Sequence, residues 1–533
     1  MSRSAPPPEQ PRWLLGLAAA LMEALPRLHG CDPDPLVAEL LGELTMALAD
    51  GQLEIALPGA LHREALARSP LAAEPDGPLV ITDGRLRWRR WQHLREGVLQ
   101  QLIERAQRPL EAAVTPTAAA QLKGLDHDQQ RAVRAVLQYG LVLLEGGPGT
   151  GKTSTVARML VQLVAQQPAS RLHLAAPTGK AAARLRSALA GTGLNPPCST
   201  LHRLLESRGD RFGRNRHNPL ALDLLVVDEV SMVDLPLMQA LLEALPPSCR
   251  LVLVGDGAQL PPVGPGSVLL ALQEPARRRA LGSAAIELRT TYRNSGRIAA
   301  VAAALRDGEQ PLEPLLASML EPAPAESNLQ WLQAPSHCLP EALLERLRRH
   351  QLELERLCRQ GDPKDSSDAS SLLGALERCL VMSPLRRGRW GVGAIHQALL
   401  GDGATRSPQY WPLGTPVLCR HNLADLGLAN GDLGLVVEWG GERRLLFTNP
   451  DSPEPHLIHP AQLADAEPAL ALTVHKAQGS EAGEVWVLMP DTGRPQQRLL
   501  YTALTRARQK ATLITPLPST ALPSQPLSAS LAE

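Results

Sequence analysis

The octapeptide GGPGTGKT at residues 146 to 153 follows the apolar run Leu141-Val142-Leu143-Leu144 and opens the helical pattern TSTVARMLVQLVA. A strand, a glycine-rich turn and a helix in that order form a phosphate cradle, because loop N–H groups and the positive end of the helix dipole converge on one point. Gly146, Gly149 and Gly151 let the backbone N–H groups turn toward an anion, Lys152 is placed to reach β and γ phosphates, and Thr153 is placed to ligate Mg²⁺. The expected contacts run through Gly146, Gly147, Pro148, Gly149, Thr150, Gly151, Lys152, Thr153 and Ser154. The chain is therefore expected to bind a nucleoside triphosphate with Mg²⁺.

Lysine usage points the same way. Of 54 basic residues only six are lysine (Lys123, Lys152, Lys180, Lys364, Lys476 and Lys510), and three of these fall inside the motifs described here. A compact ammonium on a flexible stem suits a phosphate where a planar guanidinium fork would not.

Composition bounds the rest. A chain of 533 residues exceeds one hydrophobic core and is expected to divide into roughly three or four domains. Lys+Arg and Asp+Glu balance at 54 each, so no global positive field advertises a nucleic-acid partner. Seven scattered cysteines without a CxxC or Cys/His cluster argue against a structural zinc or a disulfide framework and suggest a reducing, cytoplasmic compartment. The segment WLLGLAAALMEAL at 13 to 25 is interrupted by Glu23 and falls short of the roughly 18 apolar residues of a membrane span, so it reads as an amphipathic helix.

Residues 1 to 112 mix helical periodicity with a short strand pair, PLVITDG and RLRWRR, and carry no recognisable chemistry, which suggests a docking module. From 113 to 285 apolar strands alternate with helices (LVLLE, LHLAAP, LDLLVVDE, RLVLVGD), a parallel sheet with reactive loops at the carboxyl ends of its strands. An irregular insert at 207 to 220 should protrude. A second α/β region covers 286 to 413 and 461 to 515, and the glycine-punctuated strands of 414 to 460 suggest a small inserted β-barrel. The Pro/Ser-rich residues 516 to 533 read as a disordered tail.

LLVVDE at 224 to 229 is an apolar strand ending in two carboxylates: Asp228 is placed to hold Mg²⁺ and Glu229 to polarise an attacking water. In LVLVGDGAQLPPVGPGSVL, Gln259 and Asp256 are placed near the γ-phosphate. Arg293 in TTYRNSGR and Arg506 in LLYTALTRARQK are candidates to close over that phosphate from a second lobe, with Arg508 a structural neighbour. Three further stretches, APTGKAAARL (Thr178, Lys180), STLHRLL (Thr200, His202) and ALTVHKAQGSE (Thr473, His475), could grip a phosphate chain without reading bases. Each singly is as good a helix cap or solvated loop.

Taken in order, P-loop, APTGKAA, HRLL, VVDEVSMVD, VGDGAQLPPVGPGSVL, TYRNSG, TVHKAQGSE and YTALTRAR resemble the superfamily 1 helicases over residues 122 to 515. NPLALDLLVVDEVSMVDLPLM, SPLRRGRWGVGAIHQAL and PLVITDGRLRWRRWQHLREGVLQQL are further similar to the RecD family, the alpha subunits of exodeoxyribonuclease V. The resemblance implies an α/β fold of two RecA-like P-loop lobes with parallel sheets, a mainly helical N-terminal domain docking on a partner, a small 1B subdomain near 207 to 220 and an SH3-like 2B barrel at 414 to 460. It implies Gln129 against adenine, Glu481 against ribose, ATP with Mg²⁺, and single-stranded and end-containing double-stranded DNA as substrates. It also implies RecB-like and RecC-like partners in a heterotrimer, no membrane, and 5′ to 3′ travel. No clustered carboxylates of a two-metal nuclease are present, so nuclease activity is expected in a partner. A stand-alone helicase of the same family, or a scaffold that uses ATP as a switch, are the alternatives.

Overall fold

The strands LVLLEG and RLVLVG carry no polar side chain except Glu145 and Arg250, and both lie fully buried, as a parallel strand covered by helices on both faces must be. In the computed structural model they are neighbours in a six-stranded parallel sheet. Its order is Ala285–Leu288, Leu141–Gly146, Arg250–Gly255, Leu224–Val227, Leu172–Ala176, Cys198–Thr200. The structure describes residues 12–108, 122–189, 191–209, 211–291, 296–308, 314–317, 327–449, 454–491 and 497–517. They divide into two units, Met1–Arg293 and Asn294–Glu533.

The expected lobe boundary at 285 falls too early. Ala285–Leu288 pairs in parallel with Leu141–Gly146 and completes the first sheet, its Ile286 and Leu288 buried in the same core as Val142 and Leu144. At the other end, the long helix Arg89–Gln107 falls within the expected N-terminal module of residues 1 to 112. Its face Val98, Leu99, Leu102 and Ala106 instead packs with Leu141, Leu143, Leu251 and Leu253. Arg105 pins that helix: its guanidinium, buried and with its pKa lowered by desolvation, donates to the carbonyls of Cys249 at 3.0 Å, Leu245 at 3.2 Å and Pro246 at 3.2 Å. Ahead of it, helices Arg12–Leu28, Pro35–Ala49 and Ala60–Arg68 surround a three-stranded antiparallel sheet, Glu54–Ala56, Arg85–Trp88, Leu79–Thr82, with a separate core around Leu40, Leu44, Leu66 and Leu86. The first of these helices exposes Trp13, Leu15 and Leu17 while burying Leu14 and Ala18. The insert at 207 to 220 is a hairpin, Ser207–Arg208 against Arg211–Phe212.

In the second unit a five-stranded parallel sheet runs Leu329–Ala334, Ala507–Pro516, Ala482–Leu488, Cys379–Ser383, Leu472–Thr473. The inserted β region is an antiparallel sheet of five strands in the order His456–Ile458, Glu442–Phe447, Leu433–Trp439, Pro416–Leu418, Glu467–Pro468, so it extends past the expected end at 460. Alternation along Leu433–Trp439 sends Leu435 and Val437 into a core with the helices Glu341–Gln360 and Ser366–Ala375, and Val436 into an opposite core with Trp411 and Phe447. Both faces are thereby buried. The tail expected at 516 to 533 lies outside the described residues from 518 on. Among the described residues no helix is long and apolar enough to cross a membrane.

Arg105→Ala leaves three carbonyls without their donor and should destabilise the first unit by roughly 2–4 kcal/mol. A lower denaturation midpoint, only partly recovered by Arg105→Lys, is the expected result; an unchanged midpoint would show that the helix does not belong to that core.

Candidate active site

Five loops leave the carboxyl edge of the first sheet, and the strand order fixes their sequence along it: the P-loop, the loop carrying Gln259, Asp228-Glu229, the turn at Thr178, and Thr200. Gly149 and Gly151 take left-handed backbone angles, φ 75 and 82, which only glycine adopts without strain. Gly146 is needed for a different reason than turning an N–H group. A methyl there would stand 2.6 Å from Thr150 Oγ1 and 3.0 Å from the Leu288 carbonyl. Gly151 caps the helix Lys152–Gln166 without a side-chain bond, which leaves its first N–H groups for an anion. Lys152 Nζ donates to the carbonyls of Gly146 at 2.6 Å and Gly147 at 3.0 Å, and buried Thr150 donates to Gly147 at 2.8 Å. Ser154 is exposed and returns its hydroxyl to Gly151 at 2.8 Å, so its backbone N–H is the group left for a phosphate.

Asp228 ends the strand Leu224–Val227. Burial, and then the neighbouring Glu229, hold its carboxyl above the usual range, while Lys152 and Arg184 pull the other way. Arg184, in the helix Gly179–Ala188, was not singled out from the sequence, where it is one arginine among many. Glu229 adopts φ 52, ψ 44, a left-handed conformation that costs a non-glycine residue about 1 kcal/mol. Strain of this kind persists where the surrounding structure enforces it, commonly at functional sites.

Gln259 is buried. Its Nε2 donates to Asp256 Oδ2 at 3.2 Å, and its Oε1 has no partner among the described residues. A buried acceptor left in this way is ready for a donor such as a water. Gln129 is differently placed than an adenine contact requires: its Oε1 accepts from Asp126 N at 3.2 Å in a capping box at the start of the helix His127–Gln138, which leaves only the amide Nε2. Glu145, just before the P-loop, escaped the sequence reading. It is buried, with its pKa raised by desolvation, and accepts from Gln273 Nε2 at 2.6 Å and from Arg278.

Thr178 and Thr200 are helix caps, accepting from Ala181 N at 3.3 Å and Arg203 N at 3.2 Å. Their hydroxyl protons remain available to donate. Lys180 lies in the first turn of the helix that Thr178 caps. His202 sits 6.4 Å from Phe212 between ring centres, and burial lowers its pKa, so it offers a neutral N–H rather than a charge.

In the second unit Thr473 accepts from Lys476 N at 3.4 Å, and burial also lowers the pKa of His475. Lys476 is paired with Glu467 at 2.8 Å, which also takes Arg420 at 3.2 Å and Arg386, and Lys476, Glu467 and Arg386 line a cavity of about 270 Å³. Glu481 and Arg506 lie elsewhere, at the amino ends of Ala482–Leu488 and Ala507–Pro516, where Ala482 N donates to the Arg506 carbonyl at 3.0 Å. Arg506 is buried and donates to the Thr502 carbonyl at 3.1 Å, whereas Arg508 bridges Glu377 at 2.8 Å and Glu481 at 3.2 Å. Arg293 lies outside the described residues.

Residues 129–265 match the AAA domain family, and residues 468–514 match the UvrD-like helicase C-terminal domain. The RecBCD enzyme subunit RecD of Mycolicibacterium smegmatis is 36% identical over 486 residues, covering 84% of this chain and 81% of that protein. The subunit of the same name from Mycobacterium tuberculosis H37Rv is 36% identical over 485 residues, covering 84% and 79%. The ATP-dependent RecD2 DNA helicase of Deinococcus radiodurans is 34% identical over 398 residues, 73% of this chain and 48% of that one.

Asp228→Asn removes a half-buried carboxylate that sits beside Glu229, and Glu229→Gly removes a left-handed side chain, the latter worth about 1 kcal/mol. Each should raise the thermal midpoint of the nucleotide-free chain and abolish ATP hydrolysis. A variant that loses stability instead would show that the conformation is not strained by function.

Proposed function

The chain belongs to the RecD family of DNA helicases, and on that premise we propose that it hydrolyses ATP to move 5′ to 3′ along single-stranded DNA, as the motor subunit of a RecBCD-type exodeoxyribonuclease V processing broken ends for recombinational repair. The observation that carries the ATPase part is the adjacency of the P-loop, the Gln259 loop and Asp228-Glu229 on one sheet edge. Bound phosphates replace the Gly146 and Gly147 carbonyls as partners of the Lys152 ammonium. Thr153 and the half-buried Asp228 would hold Mg²⁺, which takes one or two protein ligands alongside phosphate oxygens and water, and which would neutralise phosphate charge. Glu229 takes the proton of the attacking water, and the unpartnered Oε1 of Gln259 orients that water. Arg293 and Arg506 stabilise transition-state charge, Gln129 contacts adenine through Nε2, and Glu481 contacts ribose.

Thr178, Lys180, Thr200 and His202 on one lobe, and Thr473 and His475 on the other, hold the DNA backbone through hydroxyl and imidazole N–H donors, a sequence-independent grip. The hairpin near 207 to 220 serves as the 1B subdomain and the antiparallel sheet as an SH3-like 2B subdomain. The N-terminal domain docks on RecB-like and RecC-like partners, one of which carries the nuclease.

Strand separation with ATP and Mg²⁺ on duplexes bearing a 5′ or a 3′ single-stranded tail tests the reading. Only the 5′-tailed duplex should open, and Lys152→Gln should reduce ATP turnover to background in a folded chain; opening of the 3′-tailed duplex would reverse the polarity. Arg506→Ala should lower kcat by roughly 10³-fold or more with little change in KM for ATP, as expected of a contact made in the transition state.

A further inference from the structure

The loop from Asp256 to Ser267 carries Gln259 and is gripped from two sides. At its start, Gln273 fills the space beside Gly257, where any side chain would overlap it, and ties that shoulder to Glu145 below the P-loop. At its end, the grip comes from the N-terminal domain. After the helix Pro35–Ala49 the chain turns at Gly51, φ +78, whose carbonyl accepts from Gly266 N at 3.0 Å. A methyl on Gly51 would stand 3.1 Å from the Gly264 carbonyl and 3.3 Å from that of Val263. Two residues on, Leu53 Cδ1 lies 2.8 Å from where a Gly266 side chain would begin, and packs on the core that contains Leu235 and Val268.

Between Gln259 and Gly264 lie Leu260, Pro261, Pro262 and Val263. Leu260 is buried and each proline has a fixed φ, which limits how far this segment can flex, Val263 alone of the four being exposed. A displacement imposed at Gly264–Gly266 therefore has only this four-residue path, two of it proline, to reach Gln259.

We infer that Gly51 and Leu53 are positioning residues for ATP hydrolysis: the N-terminal domain holds the end of the Gln259 loop and sets the placement of its amide, so a load on that domain reaches the nucleotide site through this contact. The inference rests on the assignment of Gln259 to the attacking water.

The test is steady-state ATP hydrolysis by the full chain with saturating single-stranded DNA and Mg²⁺, together with amide exchange of residues 257–267. Gly51→Ala is compared with Gly30→Ala and Gly84→Ala, which carry similar positive φ, +61 and +71, but have nothing within 4 Å of the added methyl. A shift of a few tenths of an ångström should lower kcat roughly three- to tenfold at nearly constant KM in Gly51→Ala, given that a 1 Å misplacement costs about 10²-fold. Exchange at Gly266 should quicken in the same variant, and both controls should match the parent chain. Leu53→Ala should lower kcat in the same way and Leu53→Met should restore it, which keeps the idea testable if Gly51→Ala does not fold. Exchange and kcat in Gly51→Ala equal to those of the two controls would overturn the inference. Gln259→Ala separates the premises: full kcat in that variant sinks the role of Gln259, whereas the exchange result reports on the grip regardless.

Discussion

The parallel ladder between Leu141–Gly146 and Arg250–Gly255 is the constraint on which the active site depends. Its register sets Leu251 opposite Leu141 and Gly255 opposite Glu145, so both strands deliver their loops at the same level. Strands in one parallel sheet share an edge for all their outgoing loops, and helices on both faces favour apolar residues along the ladder. The phosphate cradle and the Gln259 loop are therefore held side by side by backbone hydrogen bonds, and no long side chain has to span a gap. Glu145 and Arg250, the polar exceptions, are bonded laterally, Glu145 by Gln273 and Arg278, and Arg250 through Nη1 to Gln167 at 2.8 Å, with the Arg250 Nε left buried and unpartnered among the described residues.

Groups at that edge are costly to hold, which is how a prepared site differs from a merely stable one. Asp228 keeps its carboxylate where burial disfavours it, Glu229 keeps a left-handed backbone, and Gln259 keeps a buried oxygen without a partner. Each is worth on the order of 1–3 kcal/mol against folding. The apolar strands behind them, Leu224–Val227 and Arg250–Gly255, offset that cost, which explains why the most polar turns follow the most buried strands.

Much of this was legible in the sequence because it is local. GGPGTGKT, LLVVDE and the loop after LVLVGD each combine a strand-forming run with the loop chemistry that follows it. What escaped depends on contacts distant in the chain. Helix Arg89–Gln107 was grouped with the N-terminal domain by proximity in sequence, whereas its apolar stripe serves the first sheet. Ser366–Ala375 was hidden in a polar stretch, yet Asp365 caps it through Ser367 N and Asp368 N, both at 2.9 Å, and Ala369, Leu372 and Ala375 give it a buried face. Arg184 and Glu145 could not be told apart from other charged residues until folding placed them beside Asp228 and Gln273. Thr178 and Thr200 also cap helices, and Gln129 completes the capping box whose N-cap is Asp126, local uses their sequence positions allow.

The second sheet distributes its functional groups differently. Thr473 lies level with Ser383 at the carboxyl end of its strand, while Glu481 and Arg506 lie at the amino ends of the two adjacent long strands. Seven residues of the strand Ala482–Leu488 span about 20 Å, so the groups assigned to nucleotide and those assigned to DNA sit on opposite edges of one hydrogen-bonded body. A sheet with a continuous ladder resists bending within itself. Any rigid displacement of this sheet therefore carries Arg506, Thr473 and His475 together, through the stiffness of its central strands alone.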